Sequence, residues 1–145
     1  MACITIVREI KNIHPADIAL IKLGSFFKVF GKDACIISKI FKYKIIQGET
    51  LTCGFPIKSI NKIKAGLENK KINYMIINSK DNYNVIEKED FKNLNKYDSE
   101  YQKSKMYINN QIRIDKIYEY LNKNINDKEI KCKLTKIEEI LNERR

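Results

Sequence analysis

Between Pro15 and Gly24 lies an apolar run, Ile18-Ala-Leu-Ile-Lys-Leu23, closed on both sides by residues that break regular structure. It is too short for a helix of ordinary length and nearly all apolar, which is the signature of a strand buried on both faces. A chain that contains such a strand must cover it with other layers, so the flanking segments are constrained too. Upstream, Ile4 to His14 has mixed apolar spacing and is expected to form a short helix. Pro15 ends it, because a residue before proline avoids the helical region.

Downstream, Phe27, Phe30, Ala34, Ile37 and Phe41 recur at intervals of three and four, which predicts one helix from Ser25 to Phe41 with Ser25 as its N-cap. Gly31 would then sit inside that helix at a cost of about 1 kcal/mol relative to Ala. Tyr43–Ile46 and Thr50–Cys53, around Gln47-Gly48-Glu49, have the form of a hairpin. Ser59 is placed to cap a helix bearing Ile60, Ile63 and Leu67, and Asn73–Asn78 and Tyr83–Ile86 are two further strands around the turn Ser79–Asn82. This order specifies an α/β (α+β) fold with one mixed sheet.

The composition changes near Asp90. Asn93–Ser104 is polar, and then Ile114, Ile117, Tyr118, Leu121 and Ile125, followed by Ile130, Leu134, Ile137 and Leu141, take up helical spacing. Asn126-Asp-Lys-Glu129 between the two stripes has the form of a capping box. The expected organisation is therefore an α/β domain over residues 1–91 and a helical hairpin over residues 92–145, whose stripes face each other or a partner, a second copy included.

The net charge is +10, which suits an anionic partner. Ile (26), Lys (24) and Asn (15) all have AT-rich codons, so the bulk charge is in part compositional. Its distribution is more telling: from Lys22 to Lys64 there are nine lysines against two acids, Asp33 and Glu49. Compositional bias adds lysine everywhere but does not remove acids from one segment.

Enzyme chemistry finds little support. Gly31-Lys32-Asp33 lacks the flanking residues of a phosphate-binding loop. Glu68-Asn-Lys70 has a two-letter nuclease-like form at a helix end. The lone His14 has no evident partner, and Cys3, Cys35, Cys53 and Cys132 are too widely spaced for a zinc site. No catalytic residue, metal or cofactor is expected. The cysteines read as buried free thiols of a reducing compartment. No run of about 18 apolar residues exists to span a membrane, and the short apolar stretch before Arg8 is no secretory signal, so the expected location is cytoplasmic.

One segment carries more. Lys22-Leu-Gly-Ser-Phe-Phe-Lys-Val-Phe30 followed by Asp33-Ala34 resembles the mismatch-binding segment of the MutS family, Arg-Met-Gly-Asp-Phe-Tyr-Glu-Leu-Phe followed by Asp-Ala. Thr52-Cys-Gly-Phe-Pro56, then a helix, then Asn73-Tyr-Met-Ile-Ile77, resembles a second MutS block, Met-Ala-Gly-Val/Ile-Pro with its helix and strand. The resemblance covers roughly residues 5 to 90. It implies the fold of the N-terminal mismatch-reading domain, a mixed sheet flanked by helices, without the MutS ATPase. It also implies that Phe26 wedges against an unpaired or mispaired base. Such aromatic stacking is worth about 1–3 kcal/mol. On a helix Phe26 would stand about 100° from Phe27, off the apolar face.

The family's glutamate two positions on is Lys28 here, and an ammonium cannot accept a hydrogen bond. Lys28 is therefore expected to donate to a base or a phosphate. On the expected helix it would fall near position N3, opposing the helix dipole. Lys22, Lys32, Lys39, Lys42, Lys44, Lys58 and Lys62 would form a phosphate-contacting rim. The expected function is non-enzymatic binding of mispaired, distorted or unstacked DNA or RNA. The alternative is an accessory protein of a diversity-generating retroelement, bound to a reverse transcriptase or its RNA–DNA hybrid.

Overall fold

A computed structural model describes residues 3–143, so the expected domain limits at residues 1 and 145 lie outside the described residues. The chain divides into two compact units, Met1–Asn109 and Asn110–Arg145; the limit expected at residue 91 falls ahead of that division.

In the first unit, helix α1 (Cys3–Ile13) leads into strand β1 (Ile18–Leu23), both as the sequence specifies. The next element departs from expectation. Phe26–Phe30 is strand β2, and helix α2 begins only at Gly31 and runs to Phe41. The break is local. Gly31 takes φ of 62°, a conformation open to glycine and unsuited to a helix interior, so Gly31 starts the helix rather than weakening its middle. Ser25 caps nothing; with Gly24, also at φ 62°, it forms the tight turn that folds β2 back on β1. Phe30 serves both periods, closing the strand and flanking the helix.

Strand β3 (Thr52–Pro56) pairs with β2 along its whole length, from Phe26↔Pro56 to Phe30↔Thr52. The expected Tyr43–Cys53 hairpin reduces to a single bridge, Ile46↔Thr52. Cys53 and Phe55 of β3 are buried, and Phe55 stacks on Phe27 at 5.3 Å between centroids and on Tyr43 at 5.6 Å. Helix α3 (Ile60–Asn69) follows, with Ser59 at its head making no side-chain capping bond. Strands β4 (Tyr74–Asn78) and β5 (Asn84–Glu89) complete a five-stranded sheet of order β3-β2-β1-β4-β5. Only β1 and β4 are parallel, which makes the sheet mixed.

Alternation along the strands sorts the two faces. On one, Ala19, Ile21, Phe30, Met75 and Ile77 pack with Val7 of α1. The other faces α2 and α3: the Cys53 thiol donates to the Ala34 carbonyl at 3.6 Å, and the Tyr74 hydroxyl donates to Glu68 at 2.7 Å. Gly66 lets α3 close on α2, since a Cβ there would lie 2.5 Å from the Phe41 ring.

The polar stretch after Asp90 is helical. Helix α4 spans Leu94–Lys123, and in the first unit its Tyr97, Glu100, Ser104 and Ile108 are buried. In the second unit, α5 spans Ile130–Leu141. The capping box does not form: Glu129 precedes α5 without a capping bond, and the Asp127 side chain instead accepts from the Glu129 N–H at 3.2 Å.

Two buried acids are tied down. Asp33, in the first turn of α2, accepts from the Ala19 N–H at 3.0 Å and from the Tyr97 hydroxyl, and pairs with the Lys11 ammonium at 3.0 Å. Burial raises its pKa against the pull of Lys11 and these donors. Asp33→Ala leaves a hydroxyl and an amide without their acceptor and the Lys11 ammonium with the Asp17 carbonyl but no counter-charge, and is expected to cost about 3–5 kcal/mol in urea unfolding; a cost under about 1 kcal/mol would show the network to be incidental.

Burial pushes the pKa of Glu100 up, but the ammonium groups of Lys96 and Lys103, 3.1 and 3.5 Å away, outweigh it and hold the carboxyl below its ordinary value near 4.5. A lowered folded-state pKa stabilises fully above the unfolded value, and that stabilisation is lost as pH falls through the folded one. Melting temperature should therefore fall below about pH 4.3 more steeply in the native chain than in Glu100→Gln. Parallel pH profiles would contradict this.

Candidate nucleic-acid interface

The β1–β2 turn presents the residues singled out in the sequence. Phe26 opens β2 beside the turn, and from there the strand alternates: Phe26 outward, Phe27 inward, Lys28 outward, Val29 inward. Phe26 is 46% exposed whereas Phe27 is 3% exposed. Phe26 is thus held out by the two-residue period of a strand and not by the edge of a helical face. Lys28 likewise has no helix dipole to oppose; it lies across from Ile21 on one side and Gly54 on the other.

Gly54 matters to this surface. A Cβ at this position would stand 3.1 Å from the Phe27 carbonyl oxygen and 3.8 Å from the Phe26 ring. Its absence lets β3 approach and leaves room beside the exposed ring. The Lys28 ammonium lies 5.4 Å from the Phe30 ring centroid, in cation–π range.

Beyond Lys28 the surface sinks into a pocket of about 360 Å³ lined by Ile4, Leu23, Phe30, Ile46 and Thr50 among others. A second pocket of about 430 Å³ shares Ile4, Phe30 and Thr50 with it and adds Arg8, Lys11 and Lys32. Together they offer apolar walls, four cations and two acids, Glu49 and Asp33, the second paired with Lys11, in a space that accommodates a small ligand or part of a larger one. Arg8 and Lys11 were not foreseen; their spacing of three on α1, beside Ile4 and Val7, was the available signal.

The expected rim divides. Lys22 pairs with Phe27 near the end of β1 and so shares the Phe27 face of the sheet, opposite Phe26 and Lys28, whereas Lys58 follows β3 where the Ile57 N–H donates to the Ser25 carbonyl at 3.2 Å, beside the turn. Lys32 lies on the groove, with its ammonium 5.0 Å from the Tyr101 ring. Lys39, Lys42, Lys44 and Lys62 belong to α2, the segment after it and α3, in the layer on the opposite face of the sheet. Lys42 lies over Tyr107 at 4.6 Å and Lys62 over Tyr43 at 5.6 Å.

The buried thiols Cys35 and Cys53 are poor nucleophiles. Burial, with Cys35 and Asp33 nearby, pushes Cys53 up to about 12. Cys3 is half-buried and Cys132 is exposed, so only two of the four cysteines are core residues. Among the described residues no cluster of His, Cys, Asp or Glu is arranged to hold a metal, and no helix is long and apolar enough to cross a membrane.

The family profile of MutS domain I matches residues 2–98 of the 145. The chain belongs to the MutS domain I family. The match takes in α1, the sheet, α2, α3 and the start of α4 as far as Tyr97, the partner of Asp33. No curated protein matches the chain. At family level MutS domain I means DNA mismatch recognition, with nucleic acid as the partner. In this MutS domain I the two resemblance blocks are neighbours in space, since Phe26 of the first pairs with Pro56 of the second.

Truncation separates the two phenylalanines. Phe26→Ala should change unfolding free energy by no more than about 0.5 kcal/mol, as at an ordinary surface position. Phe27→Ala should cost about 3–5 kcal/mol. Equal costs in chemical denaturation would mean that Phe26 is a packing residue.

Proposed function

We propose that this MutS domain I protein binds mispaired, distorted or unstacked nucleic acid through Phe26, with lysines on the phosphate backbone, and acts by binding without chemistry of its own. The carrying observation is the exposed Phe26 ring at a hairpin turn, with Lys28 on the same face of β2 and Lys58 just beyond the strand β3 that pairs with it. An apolar ring on a short, paired strand can enter a base step at little entropic cost, because its backbone is already fixed. A base weakened by mispairing is the one most easily unstacked, which gives preference without a base-specific hydrogen bond. Lys28 supplies a donor where the family has an acceptor. Its role is to attract a phosphate or a base acceptor, so selectivity rests on deformability more than on base identity.

Fluorescence anisotropy with homoduplex DNA, mismatched DNA and an RNA–DNA hybrid tests this. If about three phosphates are neutralised, affinity should fall roughly 40-fold between about 50 and 200 mM salt. Phe26→Ala should weaken mismatch binding by about 1–3 kcal/mol, the value of one stacked base. Lys28→Glu should lower affinity for every duplex and raise the preference for mismatch over homoduplex. Binding that is flat with salt, or indifferent to Phe26→Ala, would sink the proposal.

A further inference from the structure

The strand that carries Phe26 runs on into the two pockets beside α1. Alternation puts Phe26, Lys28 and Phe30 on one face of β2, the face on which Phe30 packs with Val7 of α1. Leu23 pairs with Phe26 across the β1–β2 ladder and so stands on that face too. It lines the pocket of about 360 Å³ together with Lys28 and Phe30. Side chains paired in this way have Cβ atoms about 4.5–5.5 Å apart. The pocket therefore begins directly beside the exposed ring.

The two pockets differ in charge. The one beside Phe26 has apolar walls, Leu23, Phe30 and Ile46, and its two charged residues, Lys28 and Glu49, are of opposite sign. The other, of about 430 Å³, adds Arg8, Lys11 and Lys32. Its acid, Asp33, is buried and already met by Lys11. Arg8 and Lys32 are exposed and take part in no ion pair among the described residues. Ile4, Val7, Arg8 and Lys11 are spaced by three and four on α1, which brings an apolar wall and cations to one side of that helix. A neutral, apolar chamber thus meets a cationic one across a shared wall of Ile4, Phe30 and Thr50.

A nucleotide has the same two parts, a base with apolar faces and a phosphate anion. We propose that the nucleotide displaced when Phe26 enters a base stack is received here. Its base occupies the neutral pocket beside Phe26, and a flanking phosphate lies on Arg8 and Lys32. The inference rests on the role proposed for Phe26. An extruded base is held by apolar contact with its faces and by hydrogen bonds to its pairing edge. Leu23, Phe30 and Ile46 supply the first, while Glu49 accepts and Lys28 donates at the edge. The Glu49 carboxylate repels a phosphate, which fixes the orientation: base toward Phe26, phosphate toward α1. Extrusion costs stacking energy, and a receiving pocket on the same face of the hairpin offsets it.

Fluorescence anisotropy of the full-length chain with two duplexes tests the proposal. One carries a single bulged adenosine and the other an abasic residue at the same place. The native chain should bind the adenosine bulge at least fivefold more tightly. Thr50→Leu, which narrows the wall common to both pockets, should bring that ratio close to one. The ratio compares two ligands on the same protein, so a partly unfolded variant does not mimic the result. Arg8→Gln with Lys32→Gln should reduce the salt slope of adenosine-bulge binding by about 0.9, the value of one phosphate. An adenosine bulge bound no better than the abasic one, a ratio untouched by Thr50→Leu, or an unchanged salt slope would each overturn the pocket's role. Phe26→Ala reports on the wedge separately. If it weakens binding of the adenosine bulge while Thr50→Leu leaves the ratio intact, the wedge stands and the pocket fails. If Phe26→Ala changes nothing, both readings fail together.

Discussion

The carboxylate of Asp33 is withdrawn from water, and the groups gathered around it come from three other elements: Lys11 from α1, the Ala19 amide from β1 and the Tyr97 hydroxyl from α4. A buried charge is tolerated only where it is paired and hydrogen-bonded. Each element must therefore reach the start of α2 for the charge to be buried at all. This fixes more than a local contact. Helix α1 is set on its face of the sheet, the opening of α4 is drawn against the domain, and the strand-to-helix step at Phe30–Gly31 is pinned. That step sets where β2 ends, and hence the register that turns Phe26 outward.

The proposed binding surface follows from this frame. Phe26 and Phe27 are chemically identical neighbours, and strand alternation alone gives one to solvent and the other to the core. The ring that could enter a base stack is therefore braced by a strand whose opposite face is packed against Phe55 and the α2 layer. Lys28 and the groove of Arg8, Lys11 and Lys32 extend positive potential from the ring along α1, although Lys11 spends part of its charge on Asp33.

Much of this was legible in the sequence. Breakers bounded α1, β1 and α3, and each formed close to where its pattern placed it. The order of the elements carried the mixed sheet, and the resemblance pointed to Phe26. The error between Ser25 and Phe41 has a physical origin. Phe27, Phe30 and Ala34 fit a helical spacing by coincidence, while Phe26 to Phe30 also fits a strand, and short apolar runs satisfy both periods. The left-handed backbone at Gly31 decides between them, and no residue count reveals it. The Asp33–Tyr97 bond joins residues 64 positions apart, so nothing local could announce it. The groove was invisible for the same reason, because it exists only once α1 lies beside the segment around Thr50.

The parallel pairing of β1 with β4 has a consequence for how the chain comes together. Ile18 meets Tyr74 only after α2, β3 and α3 have been made, whereas the β1–β2 turn joins residues a few positions apart. Local hairpins close in microseconds, while pairings of high sequence separation come late. During synthesis the exposed aromatic ring and its turn are thus available while the central strand still lacks one neighbour. A chain halted short of β4 can pair only β3, β2 and β1, so the edge of β1 that β4 would cover stays unpaired and Phe26 stands on an incomplete sheet. The order of emergence makes β4, which touches no ligand in the proposed role, the last strand on which the steadiness of the Phe26 hairpin waits.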